Sequence, residues 1–161
     1  MVIKPYLYHL GMEAHRIIGQ YGGYQEGPVL ICTAGLHGNE TAGVKALSYV
    51  FKMLEVEPIT NAGFHFKGDL IGLTGNLQGI RQHVRYVSQD MNRLWMPENI
   101  SRIKSQPIEN LEAEEKEAYE LLQHIEAVLA AHPHAPVVVM DMHTTTADGG
   151  IFTIATEDPE S

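Results

Sequence analysis

His37 and Glu40 stand three residues apart in Gly35-Leu36-His37-Gly38-Asn39-Glu40, a turn that follows an apolar run and precedes a helical pattern. An imidazole and a carboxylate on a tight, glycine-lined turn are natural ligands for one divalent metal ion. Alone the pair is weak, because a helix-capping glutamate beside an incidental histidine gives the same spacing. A third candidate, His143 in Asp141-Met142-His143-Thr144, lies 103 residues beyond Glu40 at the end of another apolar run. Two histidines and one carboxylate with an open coordination position make a catalytic zinc arrangement rather than a closed structural one. Asp141 would project to the same side of a continuing strand as His143, where it could accept a hydrogen bond from an imidazole N–H. A turn or sheet-edge aspartate is the alternative. Thr144, Thr145 and Thr146 either line the site or continue an irregular strand.

Between these ligands lies Arg85-Tyr86-Val87-Ser88-Gln89-Asp90-Met91-Asn92-Arg93, with two guanidinium groups, an amide and a carboxylate. Guanidinium binds carboxylates bidentately and an asparagine amide adds a donor, so Asn92 with Arg93 makes a carboxylate clamp. A separate arginine near the metal could stabilise a developing oxyanion. Without the metal motif the same residues read as surface charges. The remaining histidines, His9, His15, His65, His83, His124, His132 and His134, are expected to be exposed or locally hydrogen-bonded.

The elements that must position these groups follow from periodicity. Short strands are expected around 14–20 and 28–34, with Gly22-Gly23 as a hairpin turn between them. Pro28–Ala34 reads as a strand buried on both faces, and Cys32 within it as a core residue. Val44, Leu47, Val50, Phe51 and Leu54 recur at steps of three and four, predicting a helix from Thr41 to about Leu54, closed by Pro58 and Asn61. Asp69–Thr74 is a second strand, and a short helical segment runs through Ile80 to Gln82. Residues 84–107 lack a sustained period and read as a long surface loop. Asn110–His132 is the clearest helix, with Glu112-Ala113-Glu114-Glu115 as a solvated first turn. Val137–Met140 is expected as a buried strand, and Ile151–Thr156 as a last one. Strands alternating with helices predict a three-layer α/β/α sandwich whose sheet is mixed and largely parallel. Sites in such sheets form outside the carboxyl ends of the strands, where Gly35–Glu40 and His143 both fall.

The chain has 161 residues, 44% hydrophobic and 19% charged, with a formal net charge of -9. That describes one globular domain, and the charge opposes binding to nucleic acid or to an anionic membrane surface. A lone cysteine excludes an intrachain disulfide. No apolar stretch reaches the roughly 18 residues of a membrane span, and none follows Met1–Tyr6 as a leader would require. A cytoplasmic protein is the default expectation.

Gly-Leu-His37-Gly-Asn-Glu40, Asn76 through Arg85-Tyr86 to Asp90-Met-Asn92-Arg93, and Asp141-Met-His143-Thr-Thr together resemble the succinylglutamate desuccinylase/aspartoacylase family, a branch of the zinc carboxypeptidase-like hydrolases. The resemblance covers about residues 28 to 156. It implies Zn2+ held by His37, Glu40 and His143, with water as fourth ligand. It further implies that Arg85 polarises the scissile carbonyl and that Asn92 and Arg93 bind the substrate carboxylate. The implied reaction hydrolyses the amide of a small N-acyl amino acid. A zinc carboxypeptidase acting on peptides and a non-catalytic zinc-binding module are the alternatives, and a homo-oligomer is compatible with any of them. The family's general-base glutamate lies well downstream of its last zinc-binding histidine. Glu157, Asp158 and Glu160 lack the surrounding pattern and are not assigned that role, so the chain is expected to be the zinc-binding N-terminal part of a longer catalytic domain.

Overall fold

Gln25–Ala34 (β2) is apolar from Pro28 to Ala34 apart from Thr33, and its alternating side chains divide between two cores. Val29 and Ile31 enter one, while Cys32 and Ala34 enter the other, so β2 is covered on both faces. The structure, a computed structural model, describes residues 14–22, 25–145 and 151–154. Ile17–Gly22 (β1), Lys67–Thr74 (β3) and Val137–Met142 (β4) complete a sheet in the order β1-β3-β2-β4. The β2–β3 and β2–β4 pairs are parallel and the β1–β3 pair is antiparallel.

One face carries Ala42–Thr60 (α1), which buries Val44, Leu47 and Phe51 against Ile18, Cys32, Ala34 and Leu70. The other carries Ala113–Ala131 (α4), whose Ala118 and Leu121 pack with Val29, Ile31, Ile71 and Leu73. Helix, mixed sheet and helix are the three expected layers. Burial of the Val, Leu, Ile and Phe side chains among these contributes about 1.5–3 kcal/mol each relative to exposure.

Several local expectations are corrected. The strands flanking Gly22-Gly23 do not form a hairpin, because β3 lies between them in the sheet; residues 23–24 themselves lie outside the described residues. The apolar β2 takes the central position, flanked by β3 and β4, and β1 pairs with the far edge of β3. Pro58 does not close α1 but sits within its last turn, where it removes one backbone hydrogen bond close to the end at Asn61. Residues 84–107 are not simply a loop: they contain a 3₁₀ turn at Met91–Arg93 and the helix Pro97–Ser105 (α3). Pro97 starts α3 with its fixed φ, and Glu98 near the start with Arg102 and Lys104 near the end suit the helix dipole. Leu77–Gln82 (α2) precedes that region, longer than the segment expected.

β4 is an edge strand and not a buried one: Val138 and Val139 are 56% and 55% exposed. Ile151–Ile154 is exposed and carries no strand pairing, while Ala155 and Thr156 lie outside the described residues. Cys32 is buried as expected. Among the described residues no helix is long and apolar enough to cross a membrane.

Candidate metal centre

Register brings the ligands together. Ala34, the last residue of β2, is paired with Met142, the last of β4, so the residues that follow each strand leave the sheet side by side. After Ala34 the chain turns at Gly35, whose φ of 71° lies in the left-handed region that favours glycine. Gly38 allows a second close approach: a Cβ there would fall 2.0 Å from the backbone carbon of Gly79 in α2. The Gly38 N–H donates to the Arg85 carbonyl at 3.0 Å, tying the ligand turn to the arginine loop.

Glu40 is the hub. Its Oε1 lies 2.7 Å from His37 Nδ1, and its Oε2 lies 3.1 Å from His143 Nδ1 and accepts the Thr144 N–H at 2.7 Å. Arg85 Nη1 donates to Oε1 at 3.2 Å. Burial alone would raise the Glu40 pKa, but Thr144, His37 and His143 outweigh it and hold the carboxyl below its ordinary range. One ligand atom from each of His37, Glu40 and His143 can be chosen so that all lie within 4.8 Å of one another. Two imidazole nitrogens and a carboxylate oxygen are the donor set of an open zinc site, so these residues fit the ion.

Each imidazole turns its other nitrogen to an aspartate. His143 Nε2 lies 2.6 Å from Asp141 Oδ2, and His37 Nε2 lies 3.1 Å from Asp90 Oδ1. An Nε2–H held by a carboxylate leaves the Nδ1 lone pair free for a metal. Asp141 is fixed in turn by Thr33 Oγ1, its cross-strand partner on β2, at 2.7 Å. Of the readings open for Asp141, the geometry takes the imidazole partner. The sequence assigns Asp90 no such role, although its position as cap of the 3₁₀ turn, accepting the Asn92 N–H at 3.0 Å, marks it as a fixed carboxylate. Asp141→Asn is expected to weaken zinc binding about 10- to 100-fold, because either Thr33 or His143 would then meet an NH₂ group. Zinc titration against a competing chelator measures this.

The structure therefore gathers His37, Glu40, His143 and Arg85. Asn92 and Arg93 follow Asp90 at the exposed end of the 3₁₀ turn. Arg81, the first arginine of this region, instead donates to the Ala14 carbonyl at 3.3 Å. Among the other histidines, His132 pairs with Asp69 at 3.2 Å and His124 faces the Glu120 carbonyl at 2.8 Å, away from the metal ligands.

The acidic start of α4 is not a solvated turn. Glu114 is fully buried and Glu115 nearly so. Glu114 Oε1 accepts from Val87 N–H at 2.6 Å and Asn76 Nδ2 at 2.9 Å. Its Oε2 accepts from Ser88 N–H, Ser88 Oγ and Gln89 N–H at 2.9, 2.6 and 3.1 Å. Glu115 takes Arg102 Nη2 at 2.5 Å. Burial would raise the Glu114 pKa, but the donors from Ser88, Val87 and Asn76 bring it from 4.5 down to about 2. A carboxyl whose pKa is lowered on folding stabilises the fold above its unfolded pKa and loses that contribution as pH falls toward the folded value. The contribution is about 3 kcal/mol at neutral pH. The stability gap between the native chain and Glu114→Gln, measured by urea unfolding, is therefore expected to narrow as pH falls from about 5 toward 2.

Comparison with known proteins bears on this arrangement. Residues 26–160 match the family model described as succinylglutamate desuccinylase/aspartoacylase catalytic domain. The succinylglutamate desuccinylase of Pseudomonas paraeruginosa is 38% identical over 77 residues, covering 46% of this chain and 21% of that protein. That of Pseudomonas putida is 35% identical over 66 residues, covering 41% and 18%. The solved succinylglutamate desuccinylase of Chromobacterium violaceum is similar with a TM-score of 0.50 and 25% identity, over 74% of this chain and 35% of that one. The desuccinylase structure from Vibrio parahaemolyticus, at TM-score 0.50 and 17% identity over 75% and 37%, shares the fold. The matches thus span about a fifth of the curated relatives' length.

Proposed function

The chain belongs to the succinylglutamate desuccinylase/aspartoacylase catalytic-domain family, and from that premise we propose that it carries the zinc centre of a deacylase hydrolysing the amide bond of an N-acyl amino acid. The observation that supports this best is the convergence of both histidine Nδ1 atoms and the Arg85 guanidinium on the single carboxylate of Glu40. When bound there, zinc supplies Lewis-acid polarisation of a carbonyl and lowers the pKa of water toward ~7. The protein's own groups do the rest. Asp90 and Asp141 hold the Nε2 protons and so orient both imidazoles. Arg85 gives one N–H to Glu40 and has Nη2 3.7 Å from Asp90 Oδ2, and its side chain is 49% exposed, which leaves further guanidinium donors accessible to a ligand. Those donors suit the oxygen of a carbonyl on which negative charge develops. Asn92 and Arg93 are proposed to take the carboxylate of the amino-acid part, a bidentate match that lysine could not make.

The formal net charge of -9 makes the local cations necessary for drawing in an anionic substrate. Hydrolysis of N-succinyl and N-acetyl amino acids, assayed beside short peptides on zinc-loaded protein, tests the reading. Turnover of the N-acyl amino acids and not the peptides is expected; the reverse preference would make the protein a carboxypeptidase.

A further inference from the structure

The ligand turn and the arginine loop are held together at one end by the Gly38–Arg85 backbone hydrogen bond. At the other end, residues 87–89 carry three successive N–H groups pointing into the protein, and they converge on one side chain from a different element. We propose that Glu114 is a positioning residue for the site: its carboxylate clamps Val87, Ser88 and Gln89, and thereby sets where Arg85 and Asp90 stand over the metal ligands.

The geometry supports this step by step. Glu114 is at the second position of α4, where the positive end of the helix dipole favours a carboxylate. The helix is anchored to the sheet through Ala118 and Leu121, so the carboxylate is a fixed reference point. Both oxygens are fully used, by five donors in all. One donor, Asn76 Nδ2, belongs to the residue whose Oδ1 caps α2 by accepting the Gly79 N–H at 2.7 Å. Gly79 is the residue against which Gly38 of the ligand turn packs. Glu114 therefore touches both the loop bearing Arg85 and the cap of the helix supporting the ligand turn, and none of its five donors belongs to a candidate metal ligand. On the loop, Arg85 lies two residues before the clamp and Asp90 one residue after it. Arg85 Nη2 also lies 3.7 Å from Asp90 Oδ2, so the two groups flank the clamp and face each other. Loss of the clamp frees both at once.

This inference rests on the deacylase reading only for its kinetic part. The test compares the full chain with Glu114→Gln, in which an NH₂ group must face one of the loop's donors. Ser88→Ala, which removes a single hydroxyl donor, serves as a milder variant if the first folds poorly. Amide exchange at Val87, Ser88 and Gln89 is expected to quicken about 30-fold or more while Ile31 and Leu121 keep their protection. Zinc affinity should stay within about threefold, and kcat on N-succinylglutamate should fall about 10- to 100-fold with little change in KM. Unchanged exchange at 87–89, an equal rise across the core, or unchanged kcat despite lost protection would each overturn the proposal. If the native chain shows no turnover, the kinetic arm passes to the longer catalytic domain of which it is the expected N-terminal part; inactivity there sinks the deacylase reading alone, and the exchange pattern still decides whether Glu114 holds the loop.

Discussion

Replacing His143 with alanine is expected to reduce zinc affinity by more than about 100-fold while leaving the chain folded. An outer partner of a ligating histidine is worth roughly 10- to 100-fold, and the ligand itself must be worth more. His143 can be separated from folding because its side chain is 34% exposed and follows the end of an edge strand. Glu40 offers no such separation. Buried, it accepts from the Thr144 N–H and Arg85 and lies against both imidazoles, so Glu40→Ala would strand those two donors as well as remove a candidate ligand. Metal content of purified His143→Ala beside the native chain, with circular dichroism on both, reads the effect. Equal zinc in the two samples would remove His143 from the ligand set, and with it the long-range half of the site.

Arg85→Ala is expected to behave in the opposite way, keeping zinc and losing turnover. Removing one preorganised donor to a developing oxyanion costs about 10²–10³ in kcat, or about 2.7–4 kcal/mol. The sign of the effect on metal binding follows from charge. Arg85 stands 3.2 Å from Glu40 Oε1 and repels a dication at the same carboxylate, so its loss should leave zinc affinity unchanged or slightly tighter. Arg85→Lys keeps the charge but not the fork of N–H groups, and should recover only part of the rate. Steady-state kinetics on an N-acyl amino acid, with zinc measured on the same samples, checks both halves. A variant that loses zinc along with activity would make Arg85 a structural partner of Glu40 and nothing more.

The parts of this site that were legible in the sequence are those where chemistry restricts residue type. Few residues bind zinc, glycine marks the turn that presents His37 and Glu40, and an apolar run ending in Asp141-Met142-His143 places a third candidate ligand at a strand end. The parallel pairing of β2 with β4 then converts two sequence positions into one location. Other features were not legible, for identifiable reasons. Glu114 has the same letter whether solvated or buried. What buries it is a row of amide donors from residues 25 to 27 positions earlier, which no local pattern displays. Asp90 reads as one more polar residue of a loop until its distance to His37 is known. The run Val137–Met140 looks the same whether both faces are covered or, as here, left largely exposed. The supposed hairpin failed because turn residues show where a chain reverses and not which strand it pairs with afterwards.

The pairing of Ala34 with Met142 also has a kinetic meaning. Contacts between β2 and β4 close a span of about a hundred residues, and such contacts form slowly because loop entropy must be overcome before they are rewarded. Until β4 docks, His37 and Glu40 have no third candidate ligand beside them, and Asp141 has no Thr33 to hold it. The proposed metal site is therefore expected to form late in folding. Zinc retention under competition from a chelator should track the appearance of native β4, making the ion a reporter of completed folding. A refolding experiment with zinc added at intervals is expected to show metal capture only in the slowest phase.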